Sequence, residues 1–74
     1  MAEFNRKEFG ERLKQLRKDK GLSQENLAQA IRKNKATISR MESGRLLPNA
    51  EEIYLLCNEL EIDEYELDIN IEIT

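Results

Sequence analysis

Five residues suited to start a helix recur along this 74-residue chain: Asn5, Ser23, Asn34, Asn49 and Asp63. Each stands just before a stretch whose apolar residues repeat with helical spacing. A side-chain oxygen at such a position accepts from the backbone N–H three residues on, and each such cap is worth about 1 kcal/mol. Glu8, Glu52 and Glu66 follow three residues after Asn5, Asn49 and Asp63, the reciprocal arrangement of a capping box. Apolar pairs Phe4–Phe9, Leu22–Leu27 and Ile62–Leu67 flank three of the caps as hydrophobic staples. Gly21 and Gly44 stand where the first and third helices should stop. The spacing therefore predicts five short helices with connections of a few residues, an all-α bundle.

The expected core follows from the apolar stripes: Phe9, Leu13 and Leu16; Leu27, Ala28 and Ile31; Ile38 and Met41; Ile53, Leu56, Cys57 and Leu60. So short a chain makes one domain, placed here at residues 1–67, with a small core. The tail, residues 68–74, changes period. Leu67, Ile69, Ile71 and Ile73 alternate with Asp68, Asn70, Glu72 and Thr74, a strand-like pattern. A lone strand leaves its backbone unpaired, so three readings stay open: pairing with the same tail of a second subunit, disorder, or an irregular continuation of the last helix.

Composition excludes several classes. One cysteine forms no internal disulfide, and one sulfur without any histidine makes no zinc site, so neither metal nor cofactor is expected. There is no nucleophile–base pair, and an enzyme is not expected. The acids Glu51, Glu52, Glu59 and Glu61 read as a solvated face, and Cys57 as a small core residue. No apolar run spans a bilayer and the N-terminal residues lack a signal core, so a cytoplasmic, bacterial or phage-encoded protein is expected.

The net charge of −3 hides a strong asymmetry. Residues 1–47 carry all 12 Lys and Arg and six acids, a balance of +6; residues 48–74 carry nine acids and no base, a balance of −9. A polyanion would attract the first part and repel the second. Within the basic part, the third helix is about 12 Å long at 1.5 Å per residue, which matches the width of the major groove of duplex DNA. Lys35, Ala36, Ser39 and Arg40 share its outer face. Lys and Arg can donate to guanine, Ser to either base, and an Ala methyl can touch the thymine methyl. The N-terminus of the second helix, with Ser23 and Gln24, suits a phosphate, and Ser43 and Arg45 can hold the backbone beyond the third. Lys33 and Asn34, in the turn before it, complete the expected DNA-binding set. The plainer reading is a solvated helix face between core stripes.

Residues 9–67 resemble the five-helix, lambda-repressor-like helix-turn-helix domain of phage repressors and Cro/Xre-type regulators. The resemblance rests on Phe9-Gly-Glu-Arg-Leu-Lys-Gln-Leu-Arg17, Gly21-Leu-Ser-Gln24, Leu27-Ala28, Thr37-Ile38-Ser39-Arg40 and Glu42-Ser-Gly44, in ungapped register, with Pro48–Leu60 and Asp63–Leu67 fitting beyond them. It implies a sequence-specific regulator of transcription, a repressor, that binds double-stranded DNA. It implies base contacts from Lys35, Ala36, Ser39 and Arg40, a phosphate contact and a bracing role for Gln24, and a structural ion pair between Arg17 and Glu42. Two residues depart from the family pattern. Arg32 and Lys33 replace the usual glycine and apolar residue between the second and third helices. A non-glycine at positive φ is costly, so a lengthened second helix is expected to reshape that turn.

Tyr54 and Leu55 exceed what the core stripe of the fourth helix needs. With Tyr65 and the tail residues Ile69, Ile71 and Ile73 they are the expected interface of a homodimer, which would set two reading helices about 34 Å apart on a palindromic operator. The alternative use of the acidic C-terminal part is to dock a basic protein, as the antitoxin of a toxin–antitoxin pair does.

Overall fold

The computed structural model describes residues 5–67, and the tail expectations for Ile69, Ile71 and Ile73, like the Phe4 half of the first staple, lie outside them. Four α-helices run in order: α1 Arg6–Asp19, α2 Gln24–Ala30, α3 Lys35–Glu42 and α4 Ala50–Leu60. The expected fifth helix is a single 3-10 turn, Glu64–Leu67. No strand occurs among the described residues.

Each α-helix begins at its expected cap. Asn5 Oδ1 accepts from Glu8 N at 3.0 Å, Ser23 Oγ from Asn26 N at 3.0 Å, Asn34 Oδ1 from Thr37 N at 3.0 Å, and Asn49 Oδ1 from Glu52 N at 2.8 Å. Reciprocal bonds close two of these boxes: Asn49 N donates to Glu52 Oε1 at 2.9 Å, and Ser23 N to Asn26 Oδ1 at 3.1 Å. Asp63 N donates to Glu66 Oε2 at 3.1 Å, one half of the expected box, and a 3-10 turn follows among the described residues.

The helix ends share a pattern too. Paired bonds of the Schellman type close α1 (Leu22 N to Arg17 O, 3.1 Å), α2 (Lys33 N to Ala28 O, 2.9 Å), α3 (Arg45 N to Arg40 O, 2.9 Å) and α4 (Ile62 N to Cys57 O, 3.0 Å). The left-handed position is Gly21 and Gly44 at two ends, but Arg32 (φ 61°) and Glu61 (φ 57°) at the others. The expectation that α2 would lengthen to spare Arg32 is therefore wrong. α2 stops at Ala30, and Arg32 takes the left-handed conformation itself. The strain, on the order of 1 kcal/mol, is offset by two backbone hydrogen bonds and by the burial of Ile31, which is 2% exposed.

The core is one cluster: Phe9, Leu13, Leu27, Ala28, Ile31, Ile38, Met41, Leu56, Cys57, Leu60 and Leu67. Leu16 and Ile53, expected inside, are half-buried against it. α3 packs on α1 and α2, α4 packs on α2, and the 3-10 turn seals α1 and α4 with Leu67. Lys20 and Glu61 pair across the surface between the C-terminal ends of α1 and α4.

One residue sets how closely α1 and α3 approach. A Cβ on Gly10 would lie 2.4 Å from the Glu42 carbonyl oxygen and 2.6 Å from that of Met41, so only glycine lets α1 lie on the last turn of α3. Overpacking of this kind costs about 1–3 kcal/mol. Gly10→Ala is expected to lower stability by that order although alanine is the better helix former, as read by urea denaturation; an unchanged or raised midpoint would show that the two helices can part freely.

Candidate nucleic-acid interface

α3 is eight residues long and buries only Ile38, Met41 and Glu42. Its opposite side carries Lys35, Ala36, Ser39 and Arg40, all exposed. The four residues expected to touch base edges thus share one solvent-facing surface. Thr37 is half-buried between the two sides, and its hydroxyl donates to Asn34 Oδ1 at 3.1 Å.

Two fully buried apolar side chains are a thin anchor for a helix this short. The stronger constraint is polar. Glu42, 8% exposed, receives a fork from Arg17, itself 8% exposed: Nε donates to Oε2 at 2.6 Å and Nη2 to Oε1 at 3.2 Å. Gln24 Nε2 donates to Oε1 at 3.0 Å. Arg17 Nη1 also donates to the carbonyl of Leu22 at 2.8 Å. One carboxylate thereby joins α1, the α1–α2 loop, the first turn of α2 and the last turn of α3. The charges are opposite, the geometry is bidentate, and no buried side-chain N or O among the described residues lacks a partner. This is the pair the family resemblance implies, and it takes Arg17 out of the set of cations available to a ligand.

The remaining expected residues ring α3. Ser23 is exposed with its hydroxyl in the α2 capping box; Gln24 is half-buried, braced on Glu42. Asn34 is exposed and caps α3, its Oδ1 accepting from Thr37 N and Thr37 Oγ1. Ser43 Oγ donates to the Arg40 carbonyl at 3.0 Å, and Arg45 stands exposed just after it. Lys33 is drawn sideways: its Nζ lies 3.8 Å from Glu52 Oε2 of α4, with its side chain about half exposed (49%). The Glu52 side chain is 13% exposed, but at 3.8 Å with a half-exposed lysine the pair is a loose one. Where the family pattern has an apolar residue, a shallow hollow of about 190 Å³ remains between the turn and α4, lined by Ile31, Lys33, Glu52 and Leu55 among others.

The expected dimer residues fare unequally. Tyr54 and Tyr65 are 67% and 75% exposed, whereas Leu55 is half-buried and packs against the core rather than pointing away from it. Tyr54 lines an open hollow of about 440 Å³ at the end of α4, together with Cys57, Asn58, Glu61, Ile62, Asp63, Glu64 and Glu66. It is acidic. Burial, then Glu64, Asp63 and Glu66, push the Cys57 thiol above its ordinary pKa, and a hydrogen bond to Asp63 raises that of the Tyr65 phenol.

A family model described as a helix-turn-helix domain matches residues 8–68. The chain belongs to the helix-turn-helix domain family. Its resemblance to Cro/Xre-type proteins therefore holds, and its relatives are regulators. It is 46% identical over 46 residues to the HTH-type transcriptional activator BcrR of Enterococcus faecalis, a match covering 62% of this chain but only 22% of that protein. Among solved structures it is similar to the restriction-modification controller protein C.AhdI from Aeromonas hydrophila, with a TM-score of 0.77 and 36% identity over 82% of this chain and 92% of that one. It is also similar to the clp gene regulator ClgR from Corynebacterium glutamicum, with a TM-score of 0.82 and 28% identity over 93% of this chain and 73% of that one. No helix among the described residues is long and apolar enough to cross a membrane.

Sequence reasoning missed Gly10, Asn26 as the partner that closes the Ser23 box, and the Leu22 carbonyl as an acceptor for Arg17. Gly10 was detectable in principle. It lies on the buried stripe of α1, where glycine costs about 1 kcal/mol relative to alanine and so signals a packing reason.

Removing one partner of a buried ion pair leaves the other uncompensated, at a cost of about 3–5 kcal/mol. Glu42→Ala is expected to lose stability on that scale, with the urea midpoint as readout. Replacing both partners (Arg17→Met with Glu42→Leu) should restore much of it. A single variant as stable as the parent would mean that the fork contributes little to holding α3.

Proposed function

We propose that this protein is a sequence-specific duplex-DNA-binding regulator that lays α3 in the major groove, with Lys35, Ala36, Ser39 and Arg40 toward the base edges. The observation that carries the proposal is the exposure of those four side chains on a helix whose rotation is fixed from behind by Arg17, Gln24 and Glu42. Ser23, Gln24, Lys33, Asn34, Ser43 and Arg45 surround the helix and are assigned to the phosphate backbone on either side. Occupying a promoter is enough to block transcription, so repression is the output proposed.

The active form is proposed to be a homodimer on a palindromic site, joined through Tyr54, Tyr65 and the edge of Leu55, with the tail residues Ile69, Ile71 and Ile73 as further candidates. The acidity of that face has a consequence. A two-fold contact sets the patch against its own copy, so Glu61, Asp63, Glu64 and Glu66 repel their counterparts while the tyrosines gain burial. The same face suits a basic protein, which keeps the antitoxin-type reading as the second one; the acidic hollow favours it. Co-purification of a small basic protein would support it.

Electrophoretic mobility shift on duplex DNA, after selection of bound sequences from a random pool, tests the main reading. The logarithm of affinity should fall with the logarithm of salt at about −0.9 per phosphate neutralised. Arg40→Ala should cost about 1–3 kcal/mol on the selected site and relax the preference at one base position. An equal loss on every sequence would confine Arg40 to phosphate, and the absence of binding at low salt would remove the proposal. A reporter whose promoter overlaps the selected site should fall in output.

Salt should have the opposite effect on self-association. Sedimentation equilibrium without DNA should show the dimer tightening as salt screens the acidic face, and Tyr54→Ala with Tyr65→Ala weakening it. A dimer that weakens with salt would place the contact elsewhere.

A further inference from the structure

Two close contacts place the first turn of α1 over the end of α3. Gly10 lies against the carbonyls of Met41 and Glu42, and a Cβ on Gly44 would meet Lys7 Cα at 3.2 Å and the Arg6 carbonyl carbon and oxygen at 3.3 Å. Gly44 is the left-handed residue directly after α3, and Arg45 follows it. Arg6 and Lys7 are exposed, and among the described residues neither makes an ion pair. They precede Gly10 by four and three residues, so they share its side of α1. Glu8 is set two residues on from Arg6, toward the opposite side of α1, and Glu11 directly follows Gly10.

We infer that Arg6 and Lys7 form, with Arg45, a second phosphate-binding edge beside the C-terminal end of α3, separate from the Ser23–Gln24 start of α2. This rests on the proposed placement of α3 in the groove. The groove is walled by two phosphodiester strands, and a helix inserted between them needs cations on both sides to be held level. The residues expected from the motif are Ser23 and Gln24 at the start of α2, Lys33 and Asn34 before α3, and Ser43 and Arg45 after it, so Arg45 is the one cation of that set beyond the C-terminal end of α3. Arg6 and Lys7 come from outside the helix-turn-helix segment, yet the Gly44 contact sets their backbone directly beside it. They would bind phosphate without reading sequence, and so act on affinity and not on preference.

The test is the salt dependence of binding by the Arg6→Ala/Lys7→Ala double variant, on the selected site and on an unrelated duplex, with its melting temperature measured as a control on folding. Affinity should fall by the same factor on both duplexes. The log–log salt slope should become shallower by about 2 × 0.9, so that the variant loses roughly tenfold less affinity than the parent between about 50 and 200 mM salt. The charge-conserving exchange Arg6→Lys/Lys7→Arg should keep the parental slope. A double variant that is folded and binds with unchanged affinity and slope overturns the inference while leaving the proposed function standing. Loss confined to the selected duplex also overturns it, since that would be base reading. Parental protein that binds neither duplex removes both this inference and the function it rests on.

Discussion

The carboxylate of Glu42 is the point on which the orientation of α3 depends. An eight-residue helix with two fully buried apolar side chains, Ile38 and Met41, has little in its packing to fix its rotation. Hydrophobic contact is non-directional, and a shift of one residue turns a helix by about 100°. Such a turn would carry Lys35 and Ser39 toward the core. A bidentate fork from Arg17 and a third donor from Gln24 admit no such freedom, because each bond has a distance and an angle to satisfy. The network fixes direction more than it adds stability, since an apolar pair of similar volume can be as stable as a buried ion pair. What an apolar pair would lack is an angular preference, and the face that α3 presents depends on one.

Gly10 is the steric counterpart of that network. The fork sets the rotation of α3, and the missing Cβ sets its distance from α1. The two are coupled. A longer gap between the helices would stretch the Arg17–Glu42 bonds, whose shorter member is 2.6 Å. Gly44 extends the same close approach to the first turn of α1. Three elements therefore meet at the C-terminal end of α3, while the N-terminal end is held mainly by its Asn34 cap and by the strained turn at Arg32. A hollow lies beside Lys33 there, and Lys33 Nζ stands 3.8 Å from Glu52 Oε2.

The helix starts were legible because capping is local chemistry: Asn5, Ser23, Asn34 and Asn49 act within three residues of themselves, and no tertiary knowledge is needed to see them. The core stripes of α2 and α3 were legible for the same reason. Features that depend on contacts distant in sequence were not. Leu55 reads as surplus on a helical wheel, but it packs, half-buried, against the core cluster. Gly10 reads as a poor helix residue until Met41 and Glu42 are beside it. Arg32 was judged by the cost of its own backbone, on the order of 1 kcal/mol, without the two hydrogen bonds that offset it. Asp63 satisfies the local rule for a helix start, and among the described residues a 3-10 turn follows, with Leu67 buried in the core. The Arg17–Glu42 pair joins residues 25 apart in sequence, and only family resemblance pointed to it.

The charge distribution explains how a chain with a net charge of −3 can present a cationic face. At physiological ionic strength the Debye length is about 8 Å, so charges further from a phosphate than that are largely screened. The acids of α4 and the 3-10 turn lie on elements that pack behind α2 and α1, while the exposed bases of α3 and the residue after it stand in front. A phosphate at α3 therefore meets a local field set by Lys35, Arg40 and Arg45, with the acidic part contributing chiefly at a distance. There the acidic part makes its own face unfavourable to a polyanion. The total charge is a poor guide here, because attraction decays over a length shorter than the molecule; the placement of charge on the fold decides the sign that a polyanion encounters.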